Sequence, residues 1–177
     1  MSHLERLSMS MPVVSIRSVL VGVWALNSYT DITQGASAVQ PFGSRPAGIL
    51  IYTADGFVSA QLMDPGRVSS DSVKWDTWSP EEYEAFGRGY IGYCGRYDVD
   101  EEHATVTHLP SVAFLPNLVG HRHLRHVAIT GDRLTLRAPY TRADRTKATS
   151  CLEWSRIGGA SQQAPFTLSQ LEDQGVS

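Results

Sequence analysis

The chain has 177 residues, enough for one domain with a buried core and too short for two of ordinary size. Apolar residues make up 42% and charged residues 19%, a balance that argues against a disordered or membrane-embedded chain. The net charge is −3, and the fifteen Lys and Arg residues are scattered rather than gathered into a stripe, which argues against a nucleic-acid partner.

From the N-terminus, residues 1–17 are Ser- and Met-rich and read as a tail. The stretch from Met11 to Leu26 is fairly apolar, but Arg17 interrupts it and no small-residue cleavage site follows, so no signal peptide is read. No apolar run approaches the roughly twenty residues of a membrane span. The expected barrel domain covers residues 18–157 and opens with a strand from Leu20 to Asp31. Two further strands, Gly48 to Ala54 and Phe57 to Met63, flank Asp55-Gly56, which reads as a two-residue hairpin turn. Ser79-Pro80-Glu81-Glu82 supplies a cap serine, a proline at the first helical position and a glutamate three residues after the cap, so a helix is expected to run to about Phe86. Its aromatic side should cover a barrel end or a sheet face. Strands Tyr90 to Val99 and His103 to Leu109 follow, joined through Asp100-Glu101-Glu102. Gly131-Asp132 turns the strand from His123 to Thr130 into the one from Arg133 to Ala138, and Thr149 to Ile157 closes the set at eight. Residues 158–177 read as a second tail. The fold expected is therefore all-β, an antiparallel barrel of about eight strands with one short helix.

Alternation along these strands selects candidate interior residues. Around Gly131-Asp132, Ile129 faces Leu134, Val127 faces Leu136 and Arg125 faces Ala138, and stepping back by twos adds His123 and His121. In the preceding pair, Val99 set against Ala104 places Tyr97 opposite Val106, Gly95 opposite His108 and Tyr93 opposite Pro110, with the glycine leaving room beside the imidazole. For the strands of residues 48–63, either Ile49, Ile51, Val58, Ala60 and Leu62 face inward, or Leu50, Tyr52, Phe57, Ser59, Gln61 and Met63 do. The second set suits a ligand-holding interior and is weakly preferred.

The candidate catalytic residues are His108, His123, Tyr97, Tyr93 and Arg125. A histidine near neutral pKa moves a proton between atoms, and a tyrosine or arginine holds a developing oxyanion. Candidate ligand contacts are Tyr52, Gln61, Met63, His121, Val127 and Leu136. His121-x-His123 is a spacing that metals use, but no supporting carboxylate accompanies it, so no metal is assigned. Cys94 and Cys151 stand apart from any CxxC pattern and read as free thiols in a reducing cytosol. No nucleophile elbow, phosphate loop or dinucleotide fingerprint is present, so no cofactor is expected.

Gly22-Val23-Trp24 in the first strand, with Arg156 in the last, is similar to the lipocalin arrangement in which a tryptophan closes the barrel floor beneath an arginine. The longer strings from Gly48 to Met63, Gly95 to Asp100, Val106 to His108 and Pro116 to Gly120 resemble the lipocalin-like domain family of bacteria and fungi. His123 stands where that pattern tends to have glutamine. The resemblance implies a calycin-type barrel; some members accompany specialised-metabolite enzymes, and with the inward polar set this leads to the expectation of a cofactor-free isomerase, cyclase or dehydratase acting on a hydrophobic intermediate, placed in the cytoplasm by its free thiols. The alternative is a binding or carrier protein for a hydrophobic small molecule.

Overall fold

Short alternating segments separated by turn residues cannot bury their apolar faces singly, and here they close on one another. The computed structural model describes residues 15–33, 35–68, 75–142 and 144–158. Its strands are β1 (Gly22–Thr33), β2 (Ala47–Tyr52), β3 (Phe57–Met63), β4 (Tyr90–Asp100), β5 (Thr105–Ala113), β6 (His123–Thr130), β7 (Arg133–Thr141) and β8 (Lys147–Ile157). Each pairs antiparallel with the next, and β8 returns to β1, so the sheet is a closed barrel with no free edge. The expected all-β architecture of eight strands is what forms. Most of the expected tails, 1–14 and 159–177, lie outside the described residues. Among the described residues, no helix is long and apolar enough to cross a membrane.

Among the described residues, two α-helices accompany the barrel. α2 (Pro80–Gly87) starts as the sequence indicates: the Ser79 side chain accepts from the Glu82 amide, and the Glu82 carboxylate accepts from the Ser79 amide at 2.8 Å. Phe86 and Tyr83 meet Trp78, and Gly87 lies against Phe114, so α2 sits on the outer face near the start of β4. α1 (Ile16–Leu20) is unanticipated, since its five residues straddle the expected tail and first strand. Its exposed first amides are satisfied from far along the chain, where the Glu101 carboxylate accepts from Ile16 N at 2.7 Å and Arg17 N at 3.0 Å.

The end of α1 forms the barrel floor. Trp24 Nε1 donates to Leu20 O at 2.9 Å, and the Arg156 guanidinium lies 4.1 Å over the Trp24 ring. Arg156 also donates to Val21 O and Val19 O at 2.9 and 2.6 Å, taking up carbonyls that the short helix leaves unpaired. Gly22 is needed here: its φ of +140° is unfavourable for other residues, and a Cβ would meet Arg156 Nη1 at 2.6 Å.

Two hairpin registers differ from the sequence-based expectation. At Thr53 to Phe57 the loop has three residues, with Thr53 N donating to Phe57 O and Gly56 N donating to Thr53 O, and Gly56 at φ +90°. This is a type I turn followed by a glycine bulge, and it slips the pairing by one residue relative to a two-residue turn. Leu50 therefore pairs with Ala60 and Tyr52 with Val58. The interior takes Leu50 and Tyr52 from one expected face and Val58, Ala60 and Leu62 from the other. Between β4 and β5, Tyr97 pairs with His108 and Gly95 with Pro110, two residues away from expectation. Because the shift is even, the inward residues stay inward, but the room proposed beside His108 disappears. A bulge after Cys94 brings the backbones together, and a Cβ on Gly95 would lie 2.1 Å from Leu109 O.

Candidate functional site

The barrel interior divides along its axis. Toward the floor, Trp24, Tyr52, Val58, Tyr97, Val106 and Leu134 are at most 2% exposed and fill the space. Toward the other end, all eight strands contribute to a cavity of about 190 Å³. Six strands, β1 to β5 and β7, each give one of these floor residues and a different residue to the cavity. Aliphatic walls come from Leu50, Ala60, Leu62, Leu136 and Leu152, and the connection after β5 adds Leu115 and Leu118. Polar groups at the wall are Tyr93, His108, His123 and Arg125 on the β4 to β6 side, and Tyr29 and Ser150 on the β1 and β8 side.

His108 is the centre of the first group. It is fully buried, with its Nε2 2.7 Å from the Tyr52 hydroxyl and its Nδ1 2.7 Å from the Tyr93 hydroxyl. Burial pushes its pKa well below the ordinary histidine value, and the Arg125 and His123 charges push the same way, so the imidazole is neutral. Burial also raises both phenols, Tyr52 strongly; Arg125 opposes this at each, through charge at Tyr52 and through charge and hydrogen bonding at Tyr93. Among the described residues no carboxylate forms an ion pair with Arg125, whose Nη1 donates to Leu124 O at 3.1 Å. His123 pairs with His108 across β5 and β6, and its Nε2 lies 3.1 Å from Leu118 O.

The second polar group was not anticipated. Asp31 is only 8% exposed; it accepts from Tyr140 Oη at 2.8 Å and Ser150 Oγ at 2.9 Å, with Arg142 at 3.9 Å. Tyr29 lies beside this carboxylate, and burial followed by the Asp31 charge raises its pKa. A bulge at Asn27, between Leu26 and Ser28, changes which alternate residues face inward along β1, and no glycine or proline in the sequence signals it.

Of the residues expected to form the site, His108, Tyr93, His123, Arg125 and Leu136 line the cavity. Tyr52 stands one layer deeper and reaches the cavity only through His108. Tyr97 belongs to the packed floor, where its hydroxyl donates to Thr53 O at 2.9 Å, so it is not a cavity residue. Gln61 and Met63 are corrected by the one-residue slip: Gln61 accepts from Tyr90 Oη on the outer face and Met63 is exposed. His121 is exposed before β6 begins, away from the cavity, and Val127 packs against the core below it.

Comparison with known proteins agrees with this architecture. A family model described as a lipocalin-like domain matches residues 21–157. The 4'-hydroxy-3'-methoxypropiophenone carrier protein ppsC of Aspergillus oryzae is 32% identical over 85 residues, a match covering 45% of this chain and 77% of that protein. No solved structure matches. The family match runs from the residue before β1 to the last residue of β8, and the chain belongs to the lipocalin-like domain family.

Proposed function

We propose that the protein binds a compact, largely apolar small molecule inside the barrel, orienting it by an oxygen atom set against Tyr93 and Arg125, and that it acts as a carrier for an intermediate of a specialised-metabolite pathway. The observation that carries this reading is the cavity itself: aliphatic on most sides, polar at defined points, and drawn from every strand. Its size limits the ligand. A dry cavity of about 150 Å³ accepts benzene, so about 190 Å³ suits one substituted ring rather than a polycycle. The relative's printed ligand, an aryl ketone of one ring, is of that scale.

The test is native mass spectrometry and calorimetry with a panel of one-ring aryl ketones and phenols, followed by recovery of the ligand. Saturable one-to-one binding with unchanged ligand is expected. Absence of binding across the panel, or quantitative conversion, would overturn the carrier reading.

One observation favours an isomerase, cyclase or dehydratase instead: the Tyr52–His108–Tyr93 chain ends at the cavity and could pass a proton to or from a bound molecule. Exchange of a bound ketone's α-hydrogens with deuterated solvent, faster than in buffer and lost in His108→Gln, would mark that chemistry.

A further inference from the structure

We infer that the cavity selects ligands whose oxygen accepts a hydrogen bond without donating one, a carbonyl rather than a hydroxyl, and that Tyr52 is the positioning residue that sets this preference. The inference rests on the binding proposal above and follows from counting donors around His108. A neutral imidazole has one N–H and one bare nitrogen, and each phenol has one O–H. Two arrangements are therefore available.

In the first, Tyr52 donates to Nε2, Nδ1–H donates to the Tyr93 oxygen, and the Tyr93 O–H is left over. In the second, Tyr93 donates to Nδ1, Nε2–H donates to the Tyr52 oxygen, and the Tyr52 O–H is left over. The two leftover protons have different surroundings. Tyr52 is 1% exposed, and among the described residues His108 is the one hydrogen-bond partner of its hydroxyl. An unpaired O–H there bears the full cost of desolvation. Tyr93 lies in the cavity wall, so its leftover O–H faces space that a ligand enters. The first arrangement wins, and the bond direction is fixed from the floor upward.

A ligand then meets a donor. The Tyr93 oxygen already accepts from Nδ1–H and faces the Arg125 guanidinium, so it has little capacity to accept from a ligand hydroxyl. A second observation points the same way: the indole Nε1 of Trp154, another lining residue, has no acceptor among the described residues. A ketone oxygen satisfies the donor it meets. An alcohol in its place brings a proton of its own that the site leaves unpaired, and its affinity should be about tenfold lower.

The experiment has two parts. Two-bond ¹⁵N–¹H correlation spectra of the wild-type chain read the His108 tautomer without any ligand; protonated Nδ1 with bare Nε2 is expected, and protonated Nε2 would overturn the inference. Calorimetry then compares propiophenone with 1-phenylpropan-1-ol. The wild type should favour the ketone about tenfold, and Tyr52→Phe, which frees the bond direction, should bring the ratio near one. Equal affinities in the wild type, or an unchanged ratio in Tyr52→Phe, would overturn the selectivity while leaving the binding proposal standing. If neither compound binds the wild type, the binding proposal itself fails and the selectivity falls with it, whatever tautomer the spectra show.

Discussion

Tyr93 and His108 are neighbours with different duties. Tyr93 presents a hydroxyl to the cavity, while His108 holds that hydroxyl in place from behind. Tyr93→Phe keeps the ring and its packing but removes the donor, so affinity for a ketone ligand should fall about tenfold, in line with one lost hydrogen bond, with little change in unfolding temperature. Calorimetry beside a thermal melt checks both halves. His108 leaves a signature in stability. An unfolded histidine takes up a proton near pH 6.5, whereas buried His108 stays neutral until well below that. Between those two points the unfolded chain holds the extra proton. Stability should therefore be insensitive to this group above about pH 6.5, decline below it by at most about 1.4 kcal/mol per pH unit, and level off beneath the folded value. Urea unfolding from pH 8 to pH 5 should show that decline in the wild type and a shallower one in His108→Gln; identical slopes would contradict the assignment.

At the scale of elements, bulges decide what faces the cavity. The β4–β5 bulge lets Gly95 touch the Leu109 carbonyl and sets Tyr93 opposite Ala113, free of a bulky partner. Gly95→Ala would force backbone apart and should cost about 2 to 3 kcal/mol, measured as a lower urea midpoint with unchanged slope. The same devices explain what the sequence could and could not reveal. The eight strands, the capping box at Ser79 and the Thr130 to Arg133 turn rest on local chemistry, and local chemistry is readable. Asp55-Gly56 was readable as a turn but not as a turn of a particular length, because the pair serves both a two-residue loop and a glycine bulge. One residue of difference moved Gln61 and Met63 outside and brought Val58, Ala60 and Leu62 in. The β4–β5 slip of two residues did no such harm, and Tyr93 and His108 stayed inward. Tyr29 and Asp31 were hidden by a bulge after Leu26 that carries no glycine or proline to announce it.

Across the whole molecule, the barrel separates stability from binding. Its floor is packed by Trp24, Tyr97 and Leu134 and clamped by Arg156, while the cavity lies in the opposite half and touches none of these four; Tyr52 joins the two halves through His108. Arg156 ties the last strand to the end of α1 through Val19 O and Val21 O and covers Trp24, and it is 24% exposed. Arg156→Met retains apolar cover over the indole but abandons both carbonyls, and the expected loss is about 2 to 4 kcal/mol. Because no cavity residue leans on Arg156, the folded variant should bind its ligand with wild-type affinity at low temperature and lose it only as the fold melts. Calorimetry well below the melting transition, set beside the urea midpoint, separates the two effects. A weakened ligand affinity in fully folded Arg156→Met would mean that the floor and the cavity are coupled, and that the packed core transmits strain along the barrel axis instead of insulating one end from the other.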